Sequence, residues 1–338
     1  MRLRVFERRK YRKIIPIYLA NLFVSLHYAA VLYVNSSTLD DFFTPSTVSA
    51  LFIIGALINI ALFVVAPKIL RKIDNRALIF SFILLEGLSI FGLAVFHTPL
   101  GVALSFLLHA GVVMMIYYCL DLFIEDTSTV ENTGEIRGAN LTVGNIAIAC
   151  GPLLVSFFTP DGDFSILYFV STILLIPTLF IVFFYFKKLK ISSRAKESAF
   201  NFKLWFKEKN IRRVTLARFV LEVFYSVMVL FTPLYLHNII QFSWGEIGLI
   251  FAVMLLPFVL FELPAGELAD HWCGEKEIMT VGFFIMGLAL LSLPFLDKDV
   301  FAWMIALFIS RVGASFVEVS TESFFFRHVW KADTGLIS

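Results

Sequence analysis

Apolar residues in this chain come in blocks of about twenty, and this block length constrains the fold more than any other feature of the sequence. About twenty consecutive apolar residues in a helix span the hydrocarbon core of a bilayer. Hydrophobic residues form 59% of the 338 residues and charged residues only 16%, whereas a typical soluble domain carries about 25% charge. The sequence therefore predicts an all-α membrane protein.

Ten blocks have the length and apolarity of a membrane-spanning helix. The first block follows a basic start, but it is too long for a signal-peptide core and lacks a small-residue cleavage site, so we interpret it as an uncleaved span. The predicted spans are residues 14–34, 46–66, 77–96, 100–121, 138–158, 164–186, 214–236, 244–264, 277–296 and 299–323.

The positive charges fall almost entirely on one side of these spans. With the N-terminus in the cytoplasm, 25 of the 28 Lys and Arg residues lie in inside segments, and only Lys298 lies in an outside loop. The other two, Arg218 and Arg311, lie within spans. Short cytoplasmic loops are enriched in Lys and Arg. The pattern therefore predicts an integral multi-pass protein of the cytoplasmic membrane with its N-terminus inside.

Features of the first part of the chain recur about 200 residues later. The short basic loop Pro67–Arg76 has a counterpart in Gly266–Lys276, and Tyr28 in the first span has a counterpart in Tyr225. Two copies of one membrane unit in a single chain are typical of transporters built from parallel repeats.

The repeat predicts three parts of the chain. We expect an N-terminal six-helix bundle in residues 1–186, a basic cytoplasmic linker in 187–213 and a second bundle in 214–338. The same offset aligns Thr334-Gly335 with Thr133-Gly134, just before the fifth span. Two further spans of a complete second copy would follow the last residue. We therefore expect a chain truncated after its tenth helix, with four helices in the second bundle.

Polar residues within the spans recur with helical spacing, which places them on single helix faces. Such residues are costly in a bilayer and usually face a bundle interior or a wet cavity. Spans one and seven carry stripes of identical spacing, and spans four and ten carry further polar residues. We expect a substrate cavity lined by Tyr18, Asn21, Ser25, Tyr28, Tyr117, Arg218, Glu222, Tyr225, Arg311, Ser315 and Glu318.

Two sets of opposite charges within these stripes allow two interpretations. Glu222 lies one turn after Arg218, and Glu318 lies two turns after Arg311. Each is compatible with an ion pair that neutralises buried charge. Each is also compatible with a coupling site, at which a desolvated carboxylate exchanges protons. Glu86, midway along span three, belongs to no stripe.

The loop between spans eight and nine carries a motif. It has Gly266, Leu268, Ala269, Asp270, Gly274 and Lys276 at positions that resemble the loop pattern of the major facilitator superfamily. It departs from that pattern by one extra residue before Gly274, and by His271 and Glu275 where basic residues are usual. Glycine there allows close helix approach, and an Asp near a helix end can pair with cations across the loop.

The resemblance implies a two-bundle fold on a six-plus-six plan, of which about ten helices are present. It also implies that spans one, four, seven and ten line the central cavity, which are the spans that carry the polar stripes. Gly138, Gly144 and Gly151-Pro152 in span five resemble the Gly-rich span that accompanies proton antiport in this family.

We therefore expect a secondary transporter for a small solute, with the two bundles rocking around a midplane site and with protons as the coupling ion for antiport or efflux. The cavity stripes are compatible with a zwitterion, a sugar or an amphipathic compound. We expect no cofactor, no catalytic residue, no metal site and no nucleic-acid partner, and a monomer in the lipid bilayer. Two alternatives stay open: a membrane-embedded transferase, which the scattered His residues do not favour, and a non-transporting scaffold or sensor.

Overall fold

The computed structural model of the protein describes residues 2–127, 133–159, 162–188, 209–268 and 274–334. Within these ranges every regular element is helical. Ten helices are long and apolar enough to cross a membrane, which confirms the predicted number. The residues group into two compact units, one within 1–198 and the other within 199–338. We call them the N-terminal unit and the C-terminal unit.

The N-terminal unit contains six membrane-length helices and one short helix. They are α1 (Arg2–Leu32), α2 (Asn35–Asp40), α3 (Pro45–Leu70), α4 (Asn75–Val95), α5 (Pro99–Thr127), α6 (Thr133–Phe158) and α7 (Ser165–Phe184). Helix α1 packs against α6 and α7, α4 packs against α5 and α7, and α3 packs against α5. Apolar side chains such as Ile17, Ile83 and Ile116 fill the centre between them.

One contact shows how closely these helices approach. Gly151 on α6 lies against Ala29 on α1, and a Cβ atom added at Gly151 would collide with the Ala29 side chain and backbone. Small residues at such crossings let membrane helices pack with their backbones close together.

The C-terminal unit contains four membrane-length segments. Its helices are α8 (Lys209–Leu230), α9 (Trp244–Leu268), α10 (Glu275–Ser292) and α11 (Val300–Thr334). Helix α8 is followed by the short turn Thr232–Leu234 and the π-helical turn Tyr235–Ile239. Helix α11 packs against α8, α9 and α10, so the polar residues of α8 and α11 can meet inside this unit.

Several helices run further than the sequence predicted, and α3 and α5 are two examples. Helix α5 continues past residue 121 to Thr127, and α3 continues past residue 66 to Leu70. In the extension of α5, Asp121 and Glu125 are exposed while Phe123 is buried, so the added turns are amphipathic. A charged residue on the exposed side therefore does not end the helix, which continues to Thr127.

Large apolar side chains lie exposed along the outer faces of the helices. On α3, Ile53, Leu57, Ile60 and Val64 are between 58% and 70% exposed and are spaced three or four residues apart. An exposed apolar stripe of this kind on a soluble protein would be an aggregation site, whereas in a bilayer it contacts lipid.

Candidate functional site

The charged residues of α8 and α11 meet inside the C-terminal unit. Arg218 Nε donates to Glu222 Oε1 at 2.8 Å, and its Nη2 donates to Glu318 Oε1 on α11 at 3.1 Å. The Tyr225 hydroxyl donates to Glu318 Oε2 at 2.7 Å. The α8 stripe therefore faces α11, and Glu318 accepts from two side chains of the opposite helix. We call these four residues, with Arg311, the charge cluster.

Arg311 joins the charge cluster through aromatic rings. Its side chain is 2% exposed, and its guanidinium carbon lies 4.7 Å from the centroid of the Phe224 ring and 5.8 Å from that of Tyr225. Arginine over an aromatic face gains a cation–π attraction that strengthens when water is excluded. The sequence allowed an ion pair between Arg311 and Glu318, two turns apart on one helix, and the structure shows Glu318 paired with Arg218 and Tyr225 of α8.

The charge cluster is accessible on one side. The side chains of Arg218, Glu222 and Glu318 are 34%, 52% and 24% exposed. Arg218 Nη1 is nevertheless buried and has no hydrogen-bond partner among the described residues. The guanidinium therefore keeps one unsatisfied buried donor beside its two carboxylate partners.

Ser315 does not extend the charge cluster. It is fully buried, and its hydroxyl donates to the carbonyl of Val312 on the same helix at 2.9 Å. A hydroxyl can satisfy its hydrogen-bonding potential with a carbonyl of its own helix. Helical spacing alone therefore does not show that Ser315 lines a cavity.

The α1 stripe connects α1 to α6 at one end. The Tyr18 hydroxyl donates to the carbonyl of Ile136 at 3.0 Å, and Asn21 Nδ2 donates to the carbonyl of Asn140 at 2.9 Å. Both side chains therefore donate hydrogen bonds to backbone carbonyls of α6.

The other end of this stripe meets α5. Tyr117 donates its hydroxyl to Ser25 Oγ at 3.2 Å, and its ring lies 6.1 Å from that of Tyr28. Ser25 in turn donates to Asn21 Oδ1 at 3.3 Å. The stripes of spans one and four therefore meet within the N-terminal unit.

A second ionisable group, which the sequence did not predict, lies deep in the N-terminal unit. His27 Nε2 lies 2.8 Å from Glu86 Oε1, and His109 Nδ1 lies 2.6 Å from the same oxygen. The three side chains are at most 3% exposed. They come from α1, α4 and α5, and we call them the His–Glu–His cluster.

The outer nitrogens of the two imidazoles also have partners. His27 Nδ1 lies 2.7 Å from Ser171 Oγ and 3.1 Å from the carbonyl oxygen of Ser171 on α7. His109 Nε2 lies 3.3 Å from the side-chain amide of Asn35 on α2. The hydroxyl of Tyr168 lies 2.9 Å from Asn35 Oδ1, so the contacts continue towards the end of the unit at which α1 ends.

A sequence signal for this cluster existed. A carboxylate inside a span needs a counter-charge or a hydrogen-bond donor. Glu86 lies midway along α4, His109 lies ten residues after the start of α5, and His27 lies five residues before the end of α1. Spacing along a single helix does not reveal the cluster, because its three residues come from three different helices.

Four residues of the loop motif lie within the part of the chain that the structure describes. Gly266 lies inside α9, where an added Cβ would lie 3.3 Å from Val319 on α11, and Gly274 has a φ of +84°, which favours glycine. Leu268 is exposed at the end of α9. Lys276 Nζ lies 5.4 Å from the centroid of the Phe324 ring. Asp270 and most of the predicted linker lie outside the described residues.

Solved structures of transporters share this fold. A mutant of the nucleoside transporter NupG has a TM-score of 0.73 at 14% identity, over 92% of this chain and 82% of that one. A D-xylose–proton symporter has a TM-score of 0.72 at 14% identity, over 92% of this chain and 81% of that one.

A bacterial homologue of the human lysosomal transporter Spinster, inward-facing and unoccupied, has a TM-score of 0.67 at 13% identity, over 93% of this chain and 74% of that one. No curated protein sequence matches the chain. A sequence model described as Major Facilitator Superfamily matches residues 14–336. This multi-pass membrane protein therefore belongs to the Major Facilitator Superfamily of transporters.

Proposed function

We propose that the protein is a secondary transporter that moves a small polar solute across the cytoplasmic membrane by alternating access of its two bundles. The observation that carries this proposal is the charge cluster, in which arginine and glutamate side chains meet on membrane-length helices. Charged residues within spans are costly, and they usually mark substrate or ion pathways.

Arg218 is the proposed anchor for the solute. Its buried Nη1 has no hydrogen-bond partner among the described residues, and a carboxylate or hydroxyl oxygen of a solute would satisfy it. Glu222, which is half exposed beside it, offers an acceptor for an ammonium or hydroxyl group. A zwitterion fits both charges, and a sugar fits the same donors and acceptors more weakly.

Glu318 is the proposed proton-coupling group. It accepts from Arg218 and Tyr225, so protonation of its carboxylate would weaken both contacts and release the guanidinium. A group whose charge state controls such contacts can couple proton movement to solute movement. We propose proton antiport, because α6, which corresponds to predicted span five, carries the glycines that resemble those of proton antiporters in this family.

The remaining features of the proposal concern orientation and organisation. The distribution of Lys and Arg supports an N-terminus inside the cell. The repeat supports a first bundle in residues 1–186, a cytoplasmic linker in 187–213 and a second bundle in 214–338. We propose that the protein works as a monomer and without enzymatic activity.

Transport by the purified full chain in liposomes tests this function. A panel of labelled amino acids, sugars and nucleosides would be offered with and without an imposed pH gradient. We expect saturable movement of at least one solute, driven by the gradient. Glu318→Gln should remove the response to the gradient, whereas Glu277→Gln, at an exposed position on α10, should leave it unchanged.

Other outcomes would overturn parts of this proposal. A pH response that persists in Glu318→Gln would remove this residue as the coupling group. Chemical conversion of a lipid or glycan without movement of solute would favour a transferase. No movement of any solute by a folded chain would favour a scaffold or sensor.

A further inference from the structure

We propose that His27, Glu86 and His109 form a binding site for a divalent transition-metal ion, with Zn²⁺ as the best fit, inside the N-terminal unit. This site is separate from the charge cluster of the C-terminal unit, and the inference does not rest on the proposed transport function.

The first argument is the charge of Glu86. Its side chain is fully buried, and within the described part of the chain its only ion-pair partners are the two imidazoles. Burying a carboxylate is very unfavourable unless a cation and hydrogen bonds compensate for the lost hydration. The cluster therefore needs a compensating positive charge, which either a proton held by the carboxyl and imidazole groups or a metal ion can supply.

The contacts of His27 show where that charge is needed. Ser171 Oγ donates to the carbonyl of His27 at 2.9 Å, so at His27 Nδ1 the same hydroxyl acts as an acceptor. The carbonyl oxygen of Ser171, 3.1 Å from Nδ1, is a second acceptor. Nδ1 therefore carries the N–H, and in the neutral ring Nε2 presents a lone pair to Glu86 Oε1 at 2.8 Å. A cation between these two atoms resolves their repulsion.

The donor set suits a transition metal. Two imidazole nitrogens and one carboxylate are a known protein ligand set for Zn²⁺, and they also suit other first-row divalent ions. The ligand atoms of the three residues all lie within 4.8 Å of one another. Zinc with bonds of about 2.1 Å separates tetrahedral ligand atoms by roughly 3.4 Å. The present separations of 2.6 and 2.8 Å would open by less than about 1 Å.

The surroundings of the imidazoles match those of metal ligands. A metal-bound His donates its other ring N–H to a carbonyl, carboxylate or water, which fixes the ring. Ser171 provides this partner for His27. Asn35 provides it for His109 once its amide, whose oxygen and nitrogen exchange by a simple flip, turns Oδ1 towards the ring. Tyr168 would then donate to Thr38 Oγ1, which lies 2.9 Å away.

A cavity lies beyond the contact chain that reaches His109, and none of the three cluster residues lines it. It has a volume of about 170 Å³, and its lining includes Tyr168 and Thr38, the outer members of the contact chain to His109. Asp41, His97 and Asp163 also line it. Carboxylate and imidazole groups at the opening would favour the approach of a cation.

The test uses the purified full chain without a polyhistidine tag. Stripped protein would be titrated with Co²⁺ while the visible absorption of tetrahedral cobalt is recorded, and with Zn²⁺ in a calorimeter. We expect one ion per chain. Loss of an outer partner typically weakens a metal site by about 10- to 100-fold, so Asn35→Ala should lower affinity by that amount. Glu86→Gln and His109→Gln should lower it by more than about 100-fold.

His237→Gln provides the matched control, because His237 lies in the C-terminal unit, outside both the cluster and the cavity. It should leave the affinity for both ions close to that of the wild type. Where a cluster variant fails to fold, X-ray absorption at the zinc edge of the wild-type protein replaces it, and we expect two imidazole nitrogens and at least one oxygen as ligands.

Two results would overturn the proposal. One is the absence of stoichiometric Zn²⁺ or Co²⁺ binding by the folded wild-type chain, which would show that a proton alone neutralises the cluster. The other is binding that persists unchanged in Glu86→Gln and His109→Gln, or zinc-edge spectra without imidazole ligands.

Discussion

The two units of this protein hold ionisable groups inside membrane helices in different ways. In the N-terminal unit, Glu86 and its two imidazoles are almost completely buried. The imidazole nitrogens that face away from Glu86 contact Ser171 and Asn35. In the C-terminal unit, Arg218, Glu222 and Glu318 pair with one another but remain partly exposed. Ionisable side chains enclosed by protein suit a fixed structural or ion-binding role, whereas partly exposed side chains suit contact with a solute.

The largest effect is expected for a substitution that disrupts the His–Glu–His cluster. Glu86→Ala leaves two buried imidazoles without their shared acceptor, and breaking a buried ion pair in this way typically costs about 3–5 kcal/mol. Glu222→Ala removes a half-exposed partner, so we expect less than about 1 kcal/mol. Unfolding of both variants in mixed micelles with a chelator present would measure this difference, and equal losses would contradict the distinction between the two clusters.

A second prediction concerns the hydrogen bond between Tyr225 and Glu318. A hydrogen bond to a charged group contributes about 1.5 kcal/mol or more, so Tyr225→Phe should lower transport efficiency about tenfold. Tyr235→Phe is the matched control, because the ring of Tyr235 packs on Trp303 outside the charge cluster. Initial uptake rates over a range of solute concentrations would measure the effect. Equal rates for the two variants would exclude Tyr225 from the site.

A third and smaller effect is expected at the α1 stripe. Asn21→Ala removes one interhelical hydrogen bond to the Asn140 carbonyl, and such bonds in membrane proteins contribute about 0.6 kcal/mol on average. We therefore expect a loss of stability close to that value, measured by reversible unfolding beside Asn59→Ala, which removes a similar bond to the Gly111 carbonyl. A loss several times larger at Asn21 alone would indicate that it does more than join α1 to α6.

The smallest effect is expected at an exposed carboxylate outside the spans. The backbone N–H of Ser165 donates to Asp163 Oδ1 at 2.9 Å, and this bond lowers the pKa of Asp163 below its usual value. A lowered pKa in the folded state stabilises the protein above the unfolded pKa of about 3.9, and the contribution is lost as the pH falls below it. The stability advantage of the wild type over Asp163→Ala should therefore shrink between pH 6 and about pH 3. A constant advantage across this range would contradict the assignment.

Much of the fold could be predicted from the sequence because membrane helices are specified by length and apolarity. The number of spans follows from block length, and helical spacing places the polar residues of α8 and of α11 each on one face of its own helix. The ends of α3 and α5 could not be placed, because charged residues on an exposed helix face do not end the helix. Ser315 follows the helical spacing of its stripe, yet it bonds its own backbone.

The His–Glu–His cluster shows the limit of single-helix patterns. His27 lies off its stripe and Glu86 belongs to no stripe, so spacing assigned them no role. Their contact depends on the packing of α1, α4 and α5, which is a property of three helices together. The signal that the sequence did contain is Glu86 itself, because a carboxylate inside a span needs a counter-charge or a hydrogen-bond donor.

The most direct test of the account is transport by the chain in liposomes with Arg218→Ala beside Glu277→Gln. Arg218 holds both glutamates of the charge cluster and is the proposed solute anchor. The account predicts that Arg218→Ala abolishes saturable uptake while Glu277→Gln retains it. Uptake by Arg218→Ala with the wild-type rate and concentration dependence would contradict the assignment of the charge cluster as the solute site.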